Sequence, residues 1–256
     1  MTIYLWGIVE RRFEVKQIYA YTKMHLLEWF PRLPSYQAFN RRLNELAPAF
    51  QTLAAIVLDM PVFQDCLSSN SIIDSMPIML AKQSRSSRAK VSPELCSKSY
   101  CASKDQWYYG MKLHALGIVQ YKRIPMPSLF CVSTASDHDL TIGKQMLASP
   151  PPTIRRLFAD KAYCDAEWKA FLAGKGIQLC TPFKKTRGFV DLFISEDCFS
   201  SFVSRIRQPM ESFFNWLSEK TGIQAASKVR STKGLLTFIF ARIAAALFGF
   251  ALGFYS

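Results

Sequence analysis

SIIDSMPIML, residues 71–80, places one acid, Asp74, inside an apolar run. A run of this length and composition reads as a strand largely buried in a sheet. Two more acids stand in different settings: Asp160 closes the apolar run IRRLFAD (154–160), and Glu211 lies in the amphipathic stretch IRQPMESFFNWLSEK (206–220). Two carboxylates on strands and a third projected from a helix is how a fold gathers distant acids around hard divalent cations.

Outward from this stretch, WYYGMKLHALGIVQ (107–120), PSLFCVSTAS (127–136) and IQLCTPF (177–183) read as further strands. Lys112 and His114 alternate with Met111, Leu113 and Ala115, so both polar side chains share one face. Residues 82–107, with six Lys/Arg and two Asp/Glu, are too polar and too long for a simple hairpin turn. The order of these runs predicts an α/β fold, a mixed sheet covered by helices. Asp74 then lies on the first strand and Asp160 at the end of the fourth; if these strands are neighbours, both carboxylates share one sheet edge. Glu211 reaches that edge from a helix, which Pro209 either opens or kinks.

The chain divides near residue 65, giving a helical N-terminal region (1–65) and a catalytic domain (66–256). One helix is expected over residues 8–30, ended by Pro31 and Pro34, and a second after Ser35 that breaks or kinks at Pro48. Two helices around a short turn suit either DNA reading or simple packing. Residues 235–255 are long and apolar enough to span a bilayer, but Arg242 interrupts them, and a helix buried against the sheet is the preferred reading over a membrane contact.

Charge narrows the partner. The 256 residues carry a formal charge of +13. Residues 1–70 hold seven Lys/Arg against six Asp/Glu, leaving 25 against 13 in residues 71–256. The excess travels with the carboxylates, which suits a polyanion. Seven scattered cysteines without a CxxC pair point to reduced thiols in a cytoplasmic protein, and the opening residues lack the basic start of a secretory signal.

The segments IIDSMPI, YYGMKLHALG, STASDHDL, LFADKAY and RIRQPMESFFNW, in this order, resemble the catalytic domain of DDE transposases from bacterial insertion sequences. That resemblance implies a ribonuclease H-like fold in which Asp74, Asp160 and Glu211 hold two Mg²⁺ ions, with Mn²⁺ as a substitute. It also implies cleavage of double-stranded DNA at the element's ends by water, strand transfer by the freed 3′-hydroxyl, and a homodimer on DNA in the nucleoid. No small-molecule substrate is expected. Arg207 matches the Arg-x-x-x-Glu part of the family signature, while Ser204 and Ser218 stand where many relatives have Tyr and Lys. A nuclease without strand transfer and an inactive DNA-binding remnant are the alternatives.

Lys82, Arg85, Arg88, Lys90, Lys184, Lys185 and Arg187 are the candidates for tracking phosphates. Lys112, His114, Lys161 and Arg207 are expected nearer the carboxylates as DNA contacts. Asp137 and Asp139 in ASDHDL are expected to cap a helix.

Overall fold

The first apolar segment folds back on itself early. The computed structural model describes residues 1–64, 68–183 and 194–253. In it the helix expected over residues 8–30 is two helices, α1 (Thr2–Val9) and α2 (Val15–His25). Arg11 takes a left-handed conformation with φ 57°, and the Arg12 amide returns to the Gly7 carbonyl at 2.8 Å. The physical reason is packing: a Cβ on Gly7 would lie 2.5 Å from Ile18, so only glycine lets the two helices approach and bury Ile8 and Ile18 together. Ser35 caps α3 (Tyr36–Glu45) by accepting from the Ala38 amide. Pro48 falls in the first turn of α4 (Ala47–Leu58), where its missing N–H costs nothing, and a short α5 (Pro61–Gln64) follows.

Six strands follow in one mixed sheet. They are β1 (Asn70–Lys82), β2 (Ser97–Cys101), β3 (Gln106–Ile118), β4 (Met126–Thr134), β5 (Arg156–Phe158) and β6 (Gln178–Cys180). Neighbouring strands run β2-β3-β1-β5-β6, and β4 also pairs with β3. β1, β5 and β6 are mutually parallel, whereas β2 and β4 run antiparallel to β3. Since β1 takes one edge of β3, β2 and β4 share the other end to end, pairing with residues 106–110 and 111–118. β2 lies inside the segment expected to be a long loop: Ser97–Cys101 carries only one large apolar side chain, too weak a pattern to read as a strand. Asp160 consequently follows the fifth strand, not the fourth.

Gly110 is fixed by this sheet. A Cβ there would meet the Ile78 carbonyl oxygen at 2.0 Å, an impossible contact.

The helices that accompany the sheet are α6 (Asp139–Met146), α7 (Ala166–Gly174), α8 (Ile194–Thr221) and α9 (Thr232–Ala251). The chain's contacts gather into two compact units, one of Met1–Val62, Ile78–Gly110 and Trp216–Ser256, the other of Phe63–Pro77 and Met111–Asn215. In the first, Tyr4, Ile8, Ile18, Leu43 and Phe50 close around Ala241 and Ala245 of α9. In the second, Ile73, Leu116, Leu157, Tyr163, Trp168, Leu172 and Leu179 form the core between strands and helices α6 and α7. This mixed sheet flanked by helices, after an N-terminal helical region, is a ribonuclease H-like α/β fold.

α9 has the length and apolarity of a membrane span, yet most of its apolar window is buried inside the protein. It packs chiefly on α4 and α1, which corrects the expectation that it lies against the sheet. Small residues explain the choice, since Ala241, Ala244, Ala245 and Ala246 let neighbouring helices come close.

Candidate active site

Sheet register brings the first two acids together. Ile72 of β1 pairs with Phe158 of β5, so Asp74 and Asp160 each lie two residues beyond a paired position on adjacent parallel strands. A period of two puts both on the same face. β5 ends at Phe158, the Ala159 amide bonds the Cys180 carbonyl at 3.0 Å, and Asp160 starts a single 3₁₀ turn, Lys161–Tyr163. Asp160 is thereby presented where the strand stops.

Arg207 on α8 joins the pair. One of its terminal nitrogens donates to Asp74 Oδ2 at 3.0 Å and the other to Asp160 Oδ1 at 3.3 Å. Asp74 and Arg207 are largely buried, while Asp160 is half-exposed. Burial pushes the Asp74 carboxyl up to about 6; Arg207 and the Ser75 amide pull it back, and Asp160 pushes it further up. Two carboxylates thus face a single guanidinium, and the buried one holds its charge poorly.

Glu211 lies one turn beyond Arg207 on the same helix, hence on the same flank of α8, and is exposed. Among the described residues no three acids, histidines or cysteines cluster closely enough to hold a metal ion. Pro209 lies between Arg207 and Glu211 inside α8, so of the two readings of that proline the interior one holds.

A second polar group backs Asp74. Its Oδ1 accepts from the Ser75 amide at 2.8 Å, and the Ser75 hydroxyl donates to Asp139 Oδ1 at 3.2 Å. Lys112 Nζ donates to the same Asp139 oxygen at 2.9 Å and to the Asp137 carbonyl at 2.8 Å. Asp137 Oδ2 in turn accepts from the Thr134 amide at 2.9 Å. Neither Asp137 nor Asp139 caps α6, whose first flanking residue is His138, without a side-chain cap. Lys112 captures Asp139 instead, because a half-buried ammonium needs a counter-charge more than a helix end needs a cap. Ser75 went unnoticed in the sequence, where a serine beside an acid carries no signal.

His114 does share a strand face with Lys112, but it is fully buried and its Nε2 meets the Ser133 hydroxyl at 2.9 Å. It offers no atom to solvent and so is not a DNA contact. Lys161 is exposed beside Asp160, Lys82 is exposed at the end of β1, and Arg85, Arg88 and Lys90 are exposed after it. Lys184, Lys185 and Arg187 fall outside the described residues.

A family model described as transposase DDE domain matches residues 67–248. The chain belongs to this family. Comparison with curated proteins gave no significant match, and comparison with solved structures gave none either. Membership makes DNA the partner of this transposase and places its activity among the nucleases and polynucleotidyl transferases. It also implies divalent metal. The donor set fits such an ion: both acids offer hard oxygens, and Asp74 is short of positive charge with Arg207 alone to balance two carboxylates.

Proposed function

We propose that this transposase cleaves DNA at the ends of its own insertion element and joins the freed 3′-hydroxyl to target DNA. The observation that carries the reading is that Arg207 bridges Asp74 of β1 and Asp160, which lies just beyond the end of the neighbouring parallel strand β5. Asp74 and Asp160 would hold the divalent ions, Mg²⁺ or Mn²⁺, with Glu211 as the third ligand from α8. When bound, the ions stabilise the attacking and leaving oxygens of an in-line displacement at phosphorus.

The chain's own residues do the rest. Ser75, held by Asp139, fixes the Asp74 carboxylate through its amide. Lys112 holds Asp139 in place. Arg207 keeps two like charges side by side, and becomes available to a DNA phosphate as soon as another cation takes over that balance. Lys161, beside Asp160, and the exposed run Lys82, Arg85, Arg88 and Lys90 supply phosphate contacts along the duplex. The helical region 1–65 is the candidate for reading the element's ends, and two copies act together on paired ends.

The test is a cleavage and strand-transfer assay on DNA carrying the element's ends, with and without Mg²⁺. Asp160→Asn should abolish both steps. Cut but never joined product would leave a nuclease, and activity unaffected by the substitution would refute the reading.

A further inference from the structure

A cavity of about 420 Å³ opens within the first compact unit, between the N-terminal helices and residues 222–242. Its volume falls in the range of small-ligand sites. Part of the lining is aromatic, from Tyr4, Phe13 and Phe238. Three cations also line it, Lys228, Arg230 and Arg242, of which Arg242 is the most buried.

Arg242 is 1% exposed. Its guanidinium lies 3.5 Å from the centre of the Phe238 ring and donates to the Tyr4 hydroxyl and the Phe13 carbonyl, each at 2.8 Å, and to the Phe238 carbonyl at 3.4 Å. All these partners are neutral. No carboxylate pairs with Arg242 among the described residues, and its Nε has no partner there. A buried charge held by dipoles alone is costly, and a bound anion offsets that cost.

Two more cations line the cavity against one acid. Lys228 and Arg230 are exposed at the cavity, and Glu14, the one acid in the lining, is already paired with Lys228. Ser231 and Gly234 bring in the N-terminus of the 20-residue α9, the positive end of its dipole. Aromatic faces next to uncompensated cations match a flat base joined to a phosphate, and a purely apolar ligand would leave Arg242 unbalanced.

We propose that this cavity is a nucleotide pocket that takes a nucleoside phosphate, its base against the partly exposed ring of Phe13 and its phosphate toward Arg242 and Arg230. The proposal is independent of the Asp74–Asp160 pair. The nucleotide can be free or can be the terminal unit of a DNA strand, and the two sources share this chemistry.

The experiment titrates the full chain with deoxyadenosine monophosphate, deoxyadenosine, inorganic phosphate and a 5′-phosphorylated duplex, following the amide resonances of Gly222 and Gly234, which line the cavity. The monophosphate should shift both amides and bind about tenfold or more tightly than either the nucleoside or phosphate alone. The exposed double substitution Lys228→Gln with Arg230→Gln should weaken it about tenfold while leaving the melting temperature near wild type. Arg242→Lys should weaken it further. Shifts from the duplex but not the monophosphate assign the pocket to a DNA end. Equal binding of deoxyadenosine or of inorganic phosphate, unchanged binding by the double variant, or no shift with any phosphate ester would overturn the proposal.

Discussion

Asp74 and Arg207, 133 residues apart in the chain, meet at 3.0 Å, and the same guanidinium reaches Asp160 at 3.3 Å. Arg207 is therefore the internal counter-ion of the metal-free site. Arg207→Gln should destabilise the metal-free protein by about 2 kcal/mol, because it leaves two neighbouring carboxylates without a cation. Mg²⁺ should restore much of that loss. Thermal melts in EDTA and in Mg²⁺ measure both effects, and a melt insensitive to metal in the variant would contradict the assignment.

Asp74 makes the metal-free fold pH-sensitive. Its carboxyl is raised from 3.8 to about 6 chiefly by burial, so the ionised form costs stability. That cost is absent below about pH 4, where Asp74 is protonated folded or unfolded, and complete above about pH 6. Asp74→Asn should therefore gain on wild type as pH rises through this window, by up to about 3 kcal/mol. Urea denaturation in EDTA at several pH values reads the difference directly.

His114 has the opposite slope. Burial lowers it from 6.5 to about 4, against the raising influence of Asp139, so the folded protein holds it neutral. Its contribution is complete above about pH 6.5 and is lost as pH falls toward 4. Because this slope opposes that of Asp74, His114→Gln should leave a stability that falls as pH rises from 4 to 6, and the double variant with Asp74→Asn should lose both slopes.

Lys112 and Asp139 form a half-buried ion pair, so each depends on the other. Lys112→Met and Asp139→Asn should each cost about 2 kcal/mol. Together they should cost clearly less than the sum, which a double-mutant cycle by denaturant unfolding will show.

Gly110→Ala should prevent folding or cost more than about 3 kcal/mol, since the methyl group would meet the backbone oxygen of Ile78 rather than a yielding side chain. Circular dichroism of the purified variant is a sufficient check.

Much of this was legible in the residues. Apolar runs marked five of the six strands, and β1, which carries Asp74, is the parallel neighbour of β5, which leads into Asp160. What the sequence hid depends on contacts. The break after α1 follows from the approach of Gly7 to Ile18, which no periodicity reports. β2 borrows its hydrogen bonds from β3 and has little pattern of its own. Asp139 looked like a helix cap because its attraction to Lys112 exists only once β3 and α6 are side by side.

Pro209 gives α8 a compliance that its length would otherwise deny it. In an uninterrupted helix, bending between Arg207 and Glu211 would stretch the bond from residue 209 to the Arg205 carbonyl. Proline has no N–H to give, so that bond is already forgone. A bend between Arg207 and Glu211 thus sacrifices no backbone hydrogen bond at residue 209, and the weakest point of α8 falls between these two side chains.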